Sequence, residues 1–521
     1  MSKSEIENPK SEINSPFRGL RGLRNIDCLI AALIGYYIIH LFAKYSGIGI
    51  SPDSIMYAST AQNIHDHFSL ITFNNLPLTF FPVFYPFFLS ICIFLSGGVD
   101  PVNAGPVING LLFGATIFLT GWITTKFKAP SIVYKWLILI AVVLSPALLE
   151  IYMYLWSETL FILMILIFII AYHHYLQTHS TKALITVGIV AALCCITRYA
   201  GITVIATGGL LILIDGKLVP KKKIIHVLTF GAIGISLLVG NLILNRLSTG
   251  LSTGTREPSI TPFTENLYYF GTVILDWAGL PPKLDPIAVA FAVIVIIGLA
   301  TLLIVRTAQH HLNSYENIII CYTLMYGLFI LIIATVSRFE RMNSRLLSPM
   351  FIPLLLSFTC WVPDLIKYLK FSKKWLLATP FVIAMLAFEY TIAKVDYDTY
   401  DSFCEYGIPG YTDDDWNKSD FIVFLKKNKH IFKPGYPIYS DADEAVYMFT
   451  GMHSTLLPHK FFAKDVEKVY QQKRFYLIDF KKLESPELIG LKDLQAHKKL
   501  TKLYDFTDGA VYVCEDQSES R

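Results

Sequence analysis

Polar residues in this chain fall in clusters, and long apolar stretches run between them. A bilayer core is about 30 Å thick, so roughly 20 apolar residues cross it as an α-helix. Eleven stretches approach that length: Ile26–Tyr45, Val102–Thr125, Tyr134–Leu149, Leu155–Tyr175, Ala183–Thr197, Ala200–Ile214, Ile224–Leu244, Pro286–Val305, Asn317–Val336, Leu346–Leu369 and Trp375–Ala393. A further run, Pro82–Leu95, is short and bounded by proline, and reads as a re-entrant or interfacial helix. The pattern predicts a polytopic α-helical membrane protein. After Lys394 the character changes: "YPIYSDADEAVYMFTG" predicts a strand and then a helix starting near Asp441, and "KRFYLIDF" a buried strand. The expected organisation is a cytoplasmic tail over 1–25, a membrane part over 26–394 with a first outer loop at 46–101, and an α/β domain over 395–521.

Charge fixes the orientation. Of the 521 residues 54% are hydrophobic and 16% charged, and a formal charge of +4 is too small to indicate a nucleic-acid partner. Mean hydropathy is +0.50, as expected of a multi-pass chain. Lys3, Lys10, Arg18, Arg21 and Arg24 precede the first span, and Lys126, Lys128 and Lys135 follow the second. Lys182, then Lys217 with Lys221, Lys222 and Lys223, then Arg306, then Lys367, Lys370, Lys373 and Lys374 recur in alternate loops. The positive-inside rule therefore puts the N-terminus in the cytoplasm. An odd number of spans puts the C-terminal domain outside, and counting Pro82–Leu95 as a span would misplace Lys126 and Lys128. A bacterial cytoplasmic membrane is the expected location. No cleavable signal pattern precedes the first span, which is expected to be retained. Six of the eight cysteines lie in or beside apolar runs, and a disulfide between Cys404 and Cys514 is left open.

The residues that break the apolar rule collect on the outer side. Asp53, after Pro52, reads as a helix N-cap, or as a general base or metal ligand facing an outer cavity. Glu158 falls on the same side, as a helix-capping acid or as a partner of Asp53. Two such carboxylates share a divalent ion in one reading and divide acid and base roles in another. Arg198 and the cluster Arg338, Arg341 and Arg345 oppose the orientation bias, as do Arg246 and Arg256 in the long outer segment. Their forked side chains suit phosphate oxygens; the alternative partners are Glu340, Glu257 or lipid headgroups. "NIHDHF", with His65, Asp66 and His67, lacks a third metal ligand, and His173-His174 and His310-His311 read as polar span ends. The chain has no P-loop, GxGxxG, GxSxG or HExxH, so nucleotide-driven transport and soluble hydrolase chemistry have no support.

"DSIMYASTAQNI" resembles the acidic motif in the first outer loop of membrane-embedded GT-C glycosyltransferases. The order continues through "FPVFYPFFLSICIFLSGGVDPVNAGPVINGLLFG", "LSPALLEIYMYLWSETLF", "ITRYAG" and "RMNSRLLSPMFIPLLL", which together cover most of the membrane part. The nearest-looking branch holds protein O-mannosyltransferases and lipid A aminoarabinose transferases. The resemblance implies a GT-C-like bundle of about 11 spans with juxtamembrane helices in the first outer loop. It implies a polyprenyl-phosphate sugar donor and a glycan, lipid or protein acceptor. Asp53 would be the catalytic carboxylate, Glu158 its acidic partner, and Arg198, Arg338, Arg341 and Arg345 the receivers of lipid phosphate. Tyr57 and His65 are the expected lining of the donor or acceptor pocket. Two departures stand out: Ser54 replaces a second acid after Asp53, and Pro106 stands where many members carry arginine. The first leaves a divalent metal at Asp53 open, and the second leaves phosphate binding at that place open. The expected function is an inverting glycosyltransferase. The alternative is a polytopic transporter or flippase for lipid-linked or anionic solutes, which would place ionisable groups inside its spans.

Overall fold

The computed structural model describes residues 25–254, 256–280, 282–309, 311–338, 341–368, 375–481 and 485–515. The tail over 1–24, with its basic residues, and His310, Glu340, Leu369, Lys370, Lys373 and Lys374 lie outside them.

The apolar runs become helices: α1 (Ile26–Phe42), α2 (Pro52–His67), α3 (Phe84–Leu95), α4 (Pro101–Thr124), α5 (Ile132–Val143), α6 (Pro146–Tyr152), α7 (Glu158–Thr178), α8 (Thr181–Thr197) and α9 (Ile202–Ile214). There follow α10 (Pro220–Thr249), α11 (Phe263–Trp277), α12 (Ala288–Ala308), α13 (Tyr315–Val336), α14 (Ser344–Leu347), α15 (Phe351–Thr359), α16 (Val362–Tyr368) and α17 (Trp375–Tyr406). Each of the eleven expected stretches falls on one of these helices or on a run of adjacent ones. Among the described residues seven helices are long and apolar enough to cross a membrane, and eight if α5 and α6, bent by 51°, count as one span. Length and composition thus give seven or eight spans rather than eleven. The difference lies in α1, α8 and α9, which at 13 to 17 residues fall short of the bilayer. α3, with 12 residues, is short as expected.

Small residues let the helices meet closely. On α4, a Cβ at Gly114 would lie 3.1 Å from the Ala32 carbonyl oxygen, and one at Gly121 2.7 Å from Cys28 Sγ. α1 therefore packs backbone against backbone on α4, the usual device where lipid supplies no hydrophobic drive between helices. The long segment between α10 and α12 carries the amphipathic helix α11, which the sequence pattern did not predict.

α17 runs past Lys394 to Tyr406, and the chain then returns to the segment between α1 and α2. Ile408 N–H donates to Ser46 Oγ at 2.9 Å, Tyr411 N–H to the Ile50 carbonyl at 2.8 Å and Thr412 Oγ1 to the Ile48 carbonyl at 3.2 Å. Gly410, at φ +114°, makes this possible, because a Cβ there would meet the Ile50 carbonyl at 2.5 Å. Beyond α18 (Asp414–Asn417) and α19 (Asp420–Lys427) come β1 (Ile438–Ser440), α20 (Asp443–Thr450), β2 (Thr455–Leu456), α21 (Ala463–Gln471), β3 (Arg474–Asp479), α22 (Leu491–His497), β4 (Leu500–Asp505) and β5 (Ala510–Glu515). The strands form one sheet in the order β2-β1-β3-β5-β4, parallel across β2, β1 and β3 and antiparallel beyond. Side chains alternate across β3. Phe475 and Leu477 pack with Tyr439 and Leu494, while Tyr476 and Ile478 join the core that continues into the bundle. Cys404 and Cys514 form no disulfide among the described residues.

Candidate active site

Breaks in the helical pattern meet at one end of the bundle. The first is the start of α2, where Ser51 is the N-cap and Pro52 the first helical residue. Ser54 Oγ accepts the Ser51 N–H at 3.1 Å, as in a capping box. Asp53 is therefore not the cap expected from its sequence position. It lies in the first turn, where its charge suits the helix dipole and its side chain is left to reach elsewhere.

The second break is the turn between α6 and α7. Gly49 N–H donates to the Met153 carbonyl at 2.8 Å, and Leu155 N–H to the Gly49 carbonyl at 3.2 Å. The segment before α2 and the turn before α7 thus run side by side, and Glu158, the first residue of α7, comes up beside Asp53. Arg198 stands just past the end of α8, and Arg345 is the second residue of α14.

These side chains form one ion-pair network. Glu158 is wholly buried at 0% exposure, and both its oxygens are taken. Oε1 accepts from Arg345 Nε at 2.7 Å, and Oε2 from Arg198 Nη1 at 2.7 Å. Arg345 Nη2 donates to Asp53 Oδ2 at 2.5 Å, so a single guanidinium bridges two carboxylates. Ser157 Oγ accepts from Arg198 Nη1 at 2.8 Å, lies 3.4 Å from Glu158 Oε2 and stands 3.1 Å from Tyr57 Oη. A hydroxyl with one proton satisfies all three when Tyr57 donates to it. Burial, followed by the negative charge of Asp53, raises the Tyr57 pKa well above the ordinary phenol value and keeps that proton in place.

Trp156 supports the network from below. The Arg345 guanidinium carbon lies 3.9 Å from the indole ring centre, and Tyr154 stacks on the indole at 4.2 Å. The indole N–H donates to Ser51 Oγ at 2.7 Å, so one side chain holds both the cap of α2 and the arginine that grips Asp53.

The network opens on a cavity of about 930 Å³. Asp53, Tyr57, Glu158, Arg198 and Arg345 all line it. Arg256 and the rings of Phe80, Phe81, Tyr199 and Tyr326 add to its wall, and Leu238, Leu242, Phe329 and Ile333 of α10 and α13 make an apolar flank. Three expected site residues are not among the lining. Arg338 pairs with Glu487 at 2.6 Å and Glu257 at 3.4 Å, tying the segment after α10 to the C-terminal sheet unit. Arg341 stacks on Tyr269 at 4.1 Å, and His65 sits 4.0 Å from Asp66. Trp156 escaped the sequence reading because Ser51 and Arg345, its partners, are distant in the chain. Its only local signal was its position two residues before Glu158.

The donor set does not fit a metal. Arg345 occupies the place between Asp53 and Glu158, and Glu158 has both oxygens engaged by guanidinium N–H groups. Among the described residues no three His, Cys, Asp or Glu side chains converge to hold an ion.

No family model matches the chain, and no curated protein sequence matches it. Solved structures do match, over nearly the whole length. ArnT from Cupriavidus metallidurans in the apo state superposes with a TM-score of 0.55 at 11% identity, covering 96% of this chain and 98% of that one. The same protein bound to undecaprenyl phosphate gives 0.56 at 11% identity, with 94% and 98% covered. The archaeal oligosaccharyltransferase AglB from Archaeoglobus fulgidus, in complex with an inhibitory peptide and a dolichol-phosphate, gives 0.54 at 12% identity, with 97% and 75% covered. At such identities the likeness is one of fold. The chain has the GT-C fold, a bundle of apolar helices with a small C-terminal α/β unit, and is an integral membrane protein.

Proposed function

We propose that the protein is an inverting glycosyltransferase. It moves a sugar from a polyprenyl-phosphate donor to a lipid, glycan or protein acceptor on the extracytoplasmic face, in a bacterial cytoplasmic membrane. In this reading residues 395–521 form the extracytoplasmic domain, residues 26–394 the membrane part, and 1–25 a cytoplasmic tail. The observation that carries the proposal is the Arg345 bridge between Asp53 and Glu158, set in a cavity that is polar at one end and apolar along α10 and α13. Structures of the same fold bound to undecaprenyl phosphate and to a dolichol-phosphate support a lipid-linked donor.

Arg345 holds Asp53 by Oδ2 and leaves Oδ1 to take the proton of the acceptor hydroxyl or amine. The acceptor atom then attacks the anomeric carbon from the face opposite the phosphate. As the new bond forms, the sugar–oxygen bond breaks and its electron pair leaves with the polyprenyl phosphate. Arg198, Arg256 and Arg345 on the cavity wall offset the charge of that leaving group. Glu158 does not take part as an acid or base. It holds the two arginines in position. The charged groups sit at helix ends rather than within spans, an arrangement that suits surface chemistry better than transport.

Purified protein and a radiolabelled undecaprenyl-phosphate hexose test the reading. Asp53→Asn is expected to lower transfer by roughly 10²–10⁴-fold while the thermal unfolding midpoint in detergent holds. Undiminished transfer by that variant removes Asp53 from its role. Movement of labelled lipid between leaflets with no transfer product makes the protein a transporter.

A further inference from the structure

The end of the bundle away from the cavity carries charges of its own. α8 ends and α9 begins at the cavity wall, beside Arg198 and Ile202, so the start of α8, the end of α9 and the start of α10 meet at the far end. Several basic residues there are already engaged. Lys135 pairs with Asp27, Arg306 reaches Glu316 at 3.7 Å, Lys126 lies over the Trp122 ring at 4.8 Å, and Lys128 Nζ meets His311 Nε2 at 3.3 Å. Lys223 Nζ donates to the Leu213 carbonyl at 2.8 Å and so closes the end of α9. Lys182, Lys217, Lys221 and Lys222 differ. All four side chains are exposed, and none pairs with a carboxylate among the described residues. The one acid between His179 and Leu228 is Asp215, which is 1% exposed and has both oxygens in use. His179 Nε2 holds Oδ2 at 2.6 Å, and the Lys217 backbone N–H donates to Oδ1 at 2.9 Å.

Apolar surface adjoins these lysines. Leu213, Val219, Ile224, Ile225 and Leu228 are 49% to 66% exposed, and most of α10 beyond them is exposed likewise. In an integral membrane protein such side chains lie against acyl chains, so the ammonium groups beside them stand at headgroup level. The patch is also held in place, because Tyr175 Oη lies 2.8 Å from His226 Nδ1 and ties the start of α10 to α7. Four exposed ammonium groups without carboxylate partners at that level need anions, and the leaflet supplies them as phosphodiesters. A zwitterionic headgroup brings its own ammonium and offsets none of the charge.

We propose that Lys182, Lys217, Lys221 and Lys222 form a docking surface for anionic phospholipid headgroups in the leaflet away from the Asp53 cavity. Native mass spectrometry tests it on the full-length protein in detergent, incubated with equimolar dioleoyl phosphatidylglycerol and dioleoyl phosphatidylcholine. The readout is binding, so it holds whether or not the protein transfers sugar. The unaltered protein is expected to retain phosphatidylglycerol at least about tenfold over phosphatidylcholine, and added salt to reduce that preference. Lys222→Gln is expected to weaken phosphatidylglycerol retention about fivefold, and the combined Lys217→Gln, Lys221→Gln and Lys222→Gln variant to abolish the preference. Arginine at the same three positions should keep it. Lys464→Gln, Lys473→Gln and Lys492→Gln together remove equal charge from the sheet unit and should also keep it. Thermal unfolding establishes that each variant is folded. No preference in the unaltered protein, or one that survives in the combined glutamine variant, overturns the proposal. So does an equal loss in the sheet-unit variant, which would assign the effect to net charge alone.

Discussion

Two buried acids, one in the bundle and one in the C-terminal sheet unit, have opposite surroundings. Glu158 is 0% exposed and Asp443 3%. Glu158 meets two guanidinium groups and a hydroxyl. Asp443 has a carboxylate oxygen with no hydrogen-bond partner, and its neighbour is another acid, Glu444. Burial first, then the charge of Glu444, pushes the Asp443 carboxyl up from its ordinary value. Asp441 beside it is likewise raised by burial, to about 7, although the Phe480 N–H donates to it at 2.9 Å. Depth alone therefore does not set the state of a carboxyl group. In the bundle, helix ends from distant parts of the chain bring cations to the acid. Around Asp441 and Asp443 the neighbours include backbone groups and other acids, so burial favours the protonated form.

The contrast can be broken most forcefully at Arg345. Arg345→Met strands Glu158 without one of its cations and is expected to cost about 3–5 kcal/mol, read as a lower unfolding midpoint in detergent, with transfer lost. Adding Glu158→Gln to Arg345→Met should recover much of that stability and none of the transfer. An unchanged midpoint in the single variant would mean that the bridge contributes nothing to folding. A smaller effect follows at Gly410, whose φ of +114° and contact with the Ile50 carbonyl exclude a side chain. Gly410→Ala is expected to cost about 1–3 kcal/mol and to lower transfer, because the segment it displaces leads directly into Asp53. Trp156→Phe keeps a ring beneath Arg345 and loses the hydrogen bond to Ser51. A cost of about 1 kcal/mol in the same melt is expected, with transfer reduced several-fold.

A further effect concerns pH in the sheet unit. The Asp441 carboxyl is raised from 3.8 to about 7, so the unfolded chain releases its proton while the folded chain still holds it. Its contribution to stability is complete below 3.8 and is lost as the pH rises through about 7. Hydrogen exchange over residues 438–515 should accelerate across that window beyond its intrinsic pH dependence, and Asp441→Asn should flatten the excess. An excess that persists in Asp441→Asn assigns the effect to Asp443 instead.

Much of the helical framework was legible in the sequence, because a span in lipid must satisfy its own backbone and therefore leaves a long apolar run. β1, α20 and β3 were legible through their local period. The span count was less secure, since α1, α8 and α9 are too short for hydropathy to decide between crossing and stopping. α11 went unseen because its apolar face is interrupted by polar residues, a pattern that hydropathy averages away.

The site divides in the same way. Asp53, Glu158, Arg198 and Arg345 were marked by the sequence alone, because charges beside apolar runs are rare and the lysines assign them one expected side. The sequence did not separate Arg345, which grips Asp53, from Arg338, which pairs with Glu487 of the sheet unit. Nor did it show that a guanidinium fills the place left open for a metal, or that Trp156 supports it. Those choices depend on which helix ends meet across long stretches of chain. Packing at Gly49, the turn before α7 and the return of the chain at Gly410 decide that meeting. Hydropathy is a property of each segment and is written in it, whereas a pairing of charges is a property of two segments and exists only once the fold has brought them together.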